Sequence, residues 1–161
     1  MRWILLATLS APLVLSGLVL SATAAEGRTA APSRAVVKVA FNKTLKKVIV
    51  VDARGMTLYM LTSDLYGTTV CYARVDPRCP VWWRPLTSSG RPRAGGGIKA
   101  SLLDTFRRDD GKVQVRYNGH PLYYFHGDSA NPGDKKPGDV EGQGFLNLWY
   151  VLSPKGTPIR K

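Results

Sequence analysis

Six side chains in this sequence carry donor chemistry suited to a soft metal ion: Met56, Met60, Asp64, His120, His126 and Asp128. Histidine combined with methionine favours copper. Spacing narrows the set. On an extended strand His120 and His126 stand about 20 Å apart, so one ion takes both only if the strand bends. His126 and Asp128 are separated by about 7 Å and are the weak metal candidates, with a methionine supplied from an adjacent strand. The competing reading is ordinary packing for the methionines and turn positions for the histidines, and no metal ligand is assigned. A second set, Asp128, Asp134, Asp139 and Glu141, offers calcium-type oxygens in one Gly-rich loop. Lys135 and Lys136 interrupt that set, and its spacing is not that of an EF-hand. A third set, Tyr66, Tyr72, Trp82 and Trp83, flanks the loop between Cys71 and Cys79, and exposed rings there would stack on a sugar. No serine sits in a nucleophile elbow, and there is no H-E-x-x-H or phosphate-cradling loop. The expectation is a non-enzyme without a cofactor.

These residues are placed by an internal repeat. The stretch Gly119 to Asp128 is echoed at Gly55 to Asp64: Gly55, Leu58, Tyr59 and Asp64 recur as Gly119, Leu122, Tyr123 and Asp128, 64 positions on. Ile49 and Val51 align with Val113 and Val115 at the same offset. Trp83-x-x-Leu86-x-x-x-Gly90 aligns with Trp149-x-x-Leu152-x-x-x-Gly156 at an offset of 66. Two copies are too few for a solenoid and predict one compact domain with pseudo-two-fold halves. Asn118-Gly119 is a hairpin signal, because both residues tolerate positive φ. Beyond it Leu122 and Tyr124 face one way, and Tyr123 and Phe125 the other. Both faces are apolar, so the strand is expected to be buried on both sides. Asp64 and Asp128 fall at strand ends, where a carboxylate caps a turn.

The doubled pattern Tyr-x-(Phe/Trp/Tyr)-x-x-Asp resembles the bacterial predicted lipoproteins described as the secreted repeat of unknown function family. Tyr123-x-Phe125-x-x-Asp128 matches fully, and Tyr59-x-Leu61-x-x-Asp64 has Leu at the aromatic place. The resemblance runs through Val51 to Tyr59, Asp110-Gly111, Gln114 to Gly119 and Pro137-Gly138-Asp139, and spans about Ala35 to Gly156. It implies no established activity. The related lipoproteins carry a cysteine just after the signal; here the first is Cys71, so lipidation of that kind is not expected. Similar proteins hold their two cysteines closer together and continue Trp-Pro-Pro-Leu, where this chain has Trp83-Arg84-Pro85-Leu86.

The elements around the motifs follow from pattern. Residues 1–24 read as a signal peptide: Arg2, an apolar run from Trp3 to Leu20, and an Ala22-Thr23-Ala24 cleavage site. Residues 25–34 are a disordered spacer, 35–156 the β domain (halves about 35–90 and 98–156), and 157–161 a tail. Strands are expected over Ala35–Phe41, Lys47–Asp52, Met56–Thr62, Thr105–Arg108, Lys112–Tyr117 and Phe145–Leu152. Residues 64–84 are a long loop and 87–97 a linker. Ile98–Thr105 is either a helical turn or a strand. In an exported chain the two cysteines most simply pair, and C-x7-C is not zinc spacing. No long helical period appears, so the class is all-β with one disulfide, Cys71–Cys79.

Charge bounds the partners. The 23 basic residues less Arg2 leave 22 against 11 acidic ones, a net of +11 after signal removal. Such an excess attracts polyanions. Export argues against nucleic acid and for an anionic envelope polymer, a lipid headgroup or a glycan. The expected role is an exported, non-catalytic envelope or extracellular binding or structural module, soluble in the periplasm or outside the cell. The alternative is a metal-binding or redox-accessory periplasmic protein.

Overall fold

The computed structural model describes residues 34–160. The expected signal peptide and all but the last residue of the spacer lie outside the described residues. In chain order the strands are β1 (Val36–Asn42), β2 (Lys47–Asp52), β3 (Tyr59–Leu61), β4 (Trp83–Pro85), β5 (Arg93–Ala94), β6 (Leu103–Arg107), β7 (Val113–Tyr117), β8 (His120–Pro121), β9 (Tyr123–Phe125) and β10 (Trp149–Val151). One four-residue helix, α1 (Cys79–Trp82), lies among them, so the class is all-β.

Three sheets form. β1 pairs antiparallel with β2, the β-branched run Val48 to Val51 facing β1 residue by residue, and β5 joins the other edge of β1 in parallel. The segment 87–97 is therefore more than a linker. β6, β7 and β8 form a second antiparallel sheet, turned at Asn118-Gly119 with φ of 49° and 79°. The central sheet runs β10–β3–β9–β4. In it Tyr59 opposes Tyr123, Trp83 opposes Phe125, and Trp149 opposes Leu61. Each of these pairings has a counterpart under the repeat offsets. Each motif strand is flanked by the tryptophan strand from the other part of the chain.

The motif strands are short and apolar on both faces because both faces are covered. Leu58, Met60 and Leu122, with the half-buried Tyr124, pack on one side with Val37, Val50, Val115 and Tyr117. Tyr59, Leu61, Tyr123 and Phe125 pack on the other with Ile49, Val51, Trp83 and Trp149. The rings of Trp83 and Trp149 stack there at 3.7 Å between centroids, 1° from parallel.

The structure departs from the sequence reading at three places. The Val50 N–H donates to the Leu152 carbonyl and its carbonyl accepts from Leu58; Val115 makes the same pair of bonds with Leu86 and Leu122. Val50 thus corresponds to Val115, an offset of 65 where the hydrophobic pattern predicts 64. The extra residue sits in the first turn, closed from Asp52 to Met56, whereas Tyr117 pairs directly with His120. The final aromatic strand is confined to Trp149–Val151. Phe145–Asn147 is a 3-10 turn entered through Gly144 at φ 74°, with Leu146 and Asn147 also left-handed. Ile98–Thr105 is both alternatives in turn: a 3-10 turn at Ala100–Leu102, then β6. Among the described residues no helix is long and apolar enough to cross a membrane.

Candidate functional site

The repeated Tyr and Asp positions build cross-motif clamps. The Tyr123 hydroxyl donates to Asp64 Oδ2 at 2.7 Å and meets the Thr69 hydroxyl at 2.5 Å. Asp64 Oδ1 accepts the Val70 N–H. Asp64 therefore holds the tyrosine of the other motif as well as its own loop. The Tyr59 hydroxyl donates to Asp134 Oδ2 at 2.8 Å and accepts the Gly142 N–H. Asp128, the aligned carboxylate, caps its turn by accepting the N–H groups of Ala130 and Asn131. The partner of Tyr59 is Asp134, six residues later. Burial pushes Asp134 up to about 6, and raises Asp64 above the ordinary carboxylate range. Burial, followed by the neighbouring carboxylate, raises both tyrosines well above theirs, so neither is a tyrosinate nucleophile at neutral pH.

A pocket of about 470 Å³ opens beside the disulfide. The Cys71–Cys79 bridge closes the loop that supplies one wall, and Cys79 itself lines the pocket. Cys79 continues directly into α1, whose last residue, Trp82, forms a second wall. Phe145 meets Trp82 edge-on at 5.9 Å, and the Arg78 guanidinium lies 5.6 Å from the Trp82 ring. The 3-10 turn forms the rim: Leu146, held at φ 53°, is 71% exposed. Ser63, Asp76, Arg78 and Asn131 are the polar lining groups.

The four rings expected near the disulfide separate. Trp82 lines the pocket, and Trp83 lines it from within the buried stack. Tyr72 is not a platform. It is buried between the guanidinium groups of Arg74 and Arg108, at 4.3 and 4.6 Å, and its hydroxyl accepts the Asp109 N–H. Tyr66 is exposed but lies against His120 and lines a different hollow.

The metal candidates are brought together only in part. Met56, His126 and Asp134 border one cleft, with Arg54, Arg84 and Lys135. Burial, then the charges of Arg84 and Lys135, hold His126 below the ordinary histidine range, an environment adverse to a cation. The calcium-type oxygens do not converge. Asp139 Oδ2 accepts the Lys135 and Lys136 N–H groups, Asp134 is taken by Tyr59 and the Glu141 N–H, and Asp128 by its own turn. Among the described residues no group of three or more His, Cys, Asp or Glu is arranged to hold a metal.

Two structural anchors went unread in the sequence. Arg108, almost fully buried, bonds Gln114 Oε1 at 2.6 Å, the Cys71 carbonyl at 2.9 Å and Asp110 at 3.1 Å. Gln114, also buried, donates to the Leu122 carbonyl. Together they tie the disulfide loop to β7 and to the second motif. The signal was a lone glutamine between Val113 and Val115 in a strand buried on both faces, where a polar side chain needs a partner.

No curated protein and no solved structure gives a significant match to this chain. A family match covers residues 104–153, the second motif with the strands on either side of it, and leaves the first motif outside. That segment, in which Tyr123, Phe125 and Asp128 carry the full pattern, matches the model of a secreted repeat of unknown function.

Proposed function

We propose that the chain is an exported, non-catalytic binding module and that the pocket beside the disulfide takes a glycan. The observation that carries this reading is the pocket's lining. Trp82 and Phe145 offer aromatic surface for the C–H face of a sugar. Asp76, Arg78, Asn131 and Ser63 offer donors and acceptors for hydroxyl groups. The match of residues 104–153 to a secreted repeat supports the export part of this reading.

The test is tryptophan fluorescence of the purified protein against a panel of envelope oligosaccharides. Saturable change with at least one of them is expected, weakened about tenfold in Trp82→Ala. An apolar fluorescent probe entering the pocket while every oligosaccharide fails would replace the glycan with a hydrophobic ligand.

A further inference from the structure

A second cleft, of about 440 Å³, shares no lining residue with the aromatic pocket and carries a different chemistry. Three separate segments meet at it: the β2–β3 turn through Arg54, β4 through Arg84, and β9 with its following loop through His126 and Lys135. Arg84 and Lys135 are exposed and have no ion-pair partner among the described residues. The carboxylates nearby are engaged elsewhere. Asp52 is buried, with one oxygen accepting the Arg54 and Met56 N–H groups and the other taking Arg54 Nε and the Tyr124 hydroxyl. Asp134 is spent on Tyr59 and the Glu141 N–H. The cleft thus holds two cations outside any ion pair among the described residues, a third cation already paired, one carboxylate turned to the Tyr59 hydroxyl, and an imidazole able to donate or accept.

We propose that this cleft binds the phosphate group of an anionic ligand. A phosphomonoester carries about −1.5 to −2 charge at neutral pH and three acceptor oxygens, so it draws on Arg84 and Lys135 together more strongly than a single carboxylate does. The planar fork of Arg84 suits a pair of phosphate oxygens, and Lys135 supplies a compact point charge. Pro85 and Tyr124 give the cleft an apolar side that lowers competition from water. This site stands independently of the glycan reading.

The experiment is an NMR titration of the isotopically labelled protein with inorganic phosphate, ionic strength being held constant with sodium chloride. Saturable shifts are expected at Arg84, His126 and Lys135. Affinity should fall about tenfold or more in Arg84→Ala/Lys135→Ala, each charge-assisted contact being worth that much. The control Lys43→Ala/Lys155→Ala, which removes the same charge from exposed positions elsewhere, should keep the affinity. Shifts spread evenly over surface lysines, or equal loss in both double variants, would overturn the proposal. Competition of phosphatidic acid vesicles, whose headgroup is a phosphomonoester, for the same shifts supports the site with a lipid headgroup as its source. Saturable phosphate binding without that competition supports it with a soluble phosphorylated ligand.

Discussion

The tyrosine in each motif does its work through one hydrogen bond to a carboxylate far away in sequence. Tyr123 reaches Asp64 and Tyr59 reaches Asp134, each from within a closely packed core. Replacing Tyr123 by Phe keeps the ring and strands both Asp64 and Thr69. Urea denaturation should show a loss of about 1–3 kcal/mol, the cost of leaving a buried acceptor unmatched. The other clamp gives a pH signature. Burial raises Asp134 from 3.8 to about 6, so the folded protein holds that proton more tightly than the unfolded chain. The sign is that of a raised carboxyl: its contribution is full below the unfolded value and is lost as pH rises through the folded one. From about pH 4 to pH 7 the wild type should therefore lose stability relative to Asp134→Asn, measured by urea midpoints of the two proteins in parallel. A wild type that gains on the variant over that window would contradict the assignment. The sequence offered Asp128 as a turn cap, which it is, and carried no sign that Asp134 would hold Tyr59. The partner was decided by a Gly-rich loop that returns Asp134 to Tyr59, and loop paths are not periodic.

At the level of elements, the strands and the turn were the legible part. The β-branched run Val48 to Val51 placed β2 over Lys47–Asp52, and strand alternation put Leu122 and Tyr123 on opposite, equally covered faces. Asn118-Gly119 marked a turn requiring two positive φ values, which it has. The pocket was not legible, because its walls are irregular. α1 begins with Pro80 in its first turn, and the rim depends on Leu146 in a left-handed conformation that its residue type does not announce. Gly142 shows another limit: a Cβ there would stand 2.7 Å from the Trp83 ring, a demand imposed by the tryptophan stack and invisible in the glycine's own neighbours. The disulfide joins the two kinds of element. In Cys71→Ser/Cys79→Ser the closed loop becomes free in the unfolded state, and thermal melts should show a loss of roughly 2–3 kcal/mol. The same variant should bind in the aromatic pocket more weakly than its folded fraction accounts for, since Val75, Asp76 and Arg78 lie inside the released loop.

For the whole molecule, charge and topology separate. The net charge of +12 was plain from composition, and with it the attraction for anions. Composition did not say where that charge is left uncompensated. The folded chain shows it at one cleft, where Arg54 pairs with Asp52 while Arg84 and Lys135 make no ion pair among the described residues. Topology has a consequence of another kind. β3 lies between β10 and β9, and β9 between β3 and β4, so the central sheet alternates strands from before and after the 87–97 segment. The stretch before that segment holds only β3 and β4 of the sheet, which do not pair with each other; the stretch after it holds β9 and β10, which do not pair with each other either. Neither piece can form the central sheet alone, although β1 and β2 pair within the first and β6, β7 and β8 within the second. The chain must therefore gather residues far apart in sequence before any central pairing forms, a route that is slow and all-or-none. A polypeptide nicked within residues 87–97 would behave as two complementary fragments, each without this sheet when alone and interlocking with the other when mixed.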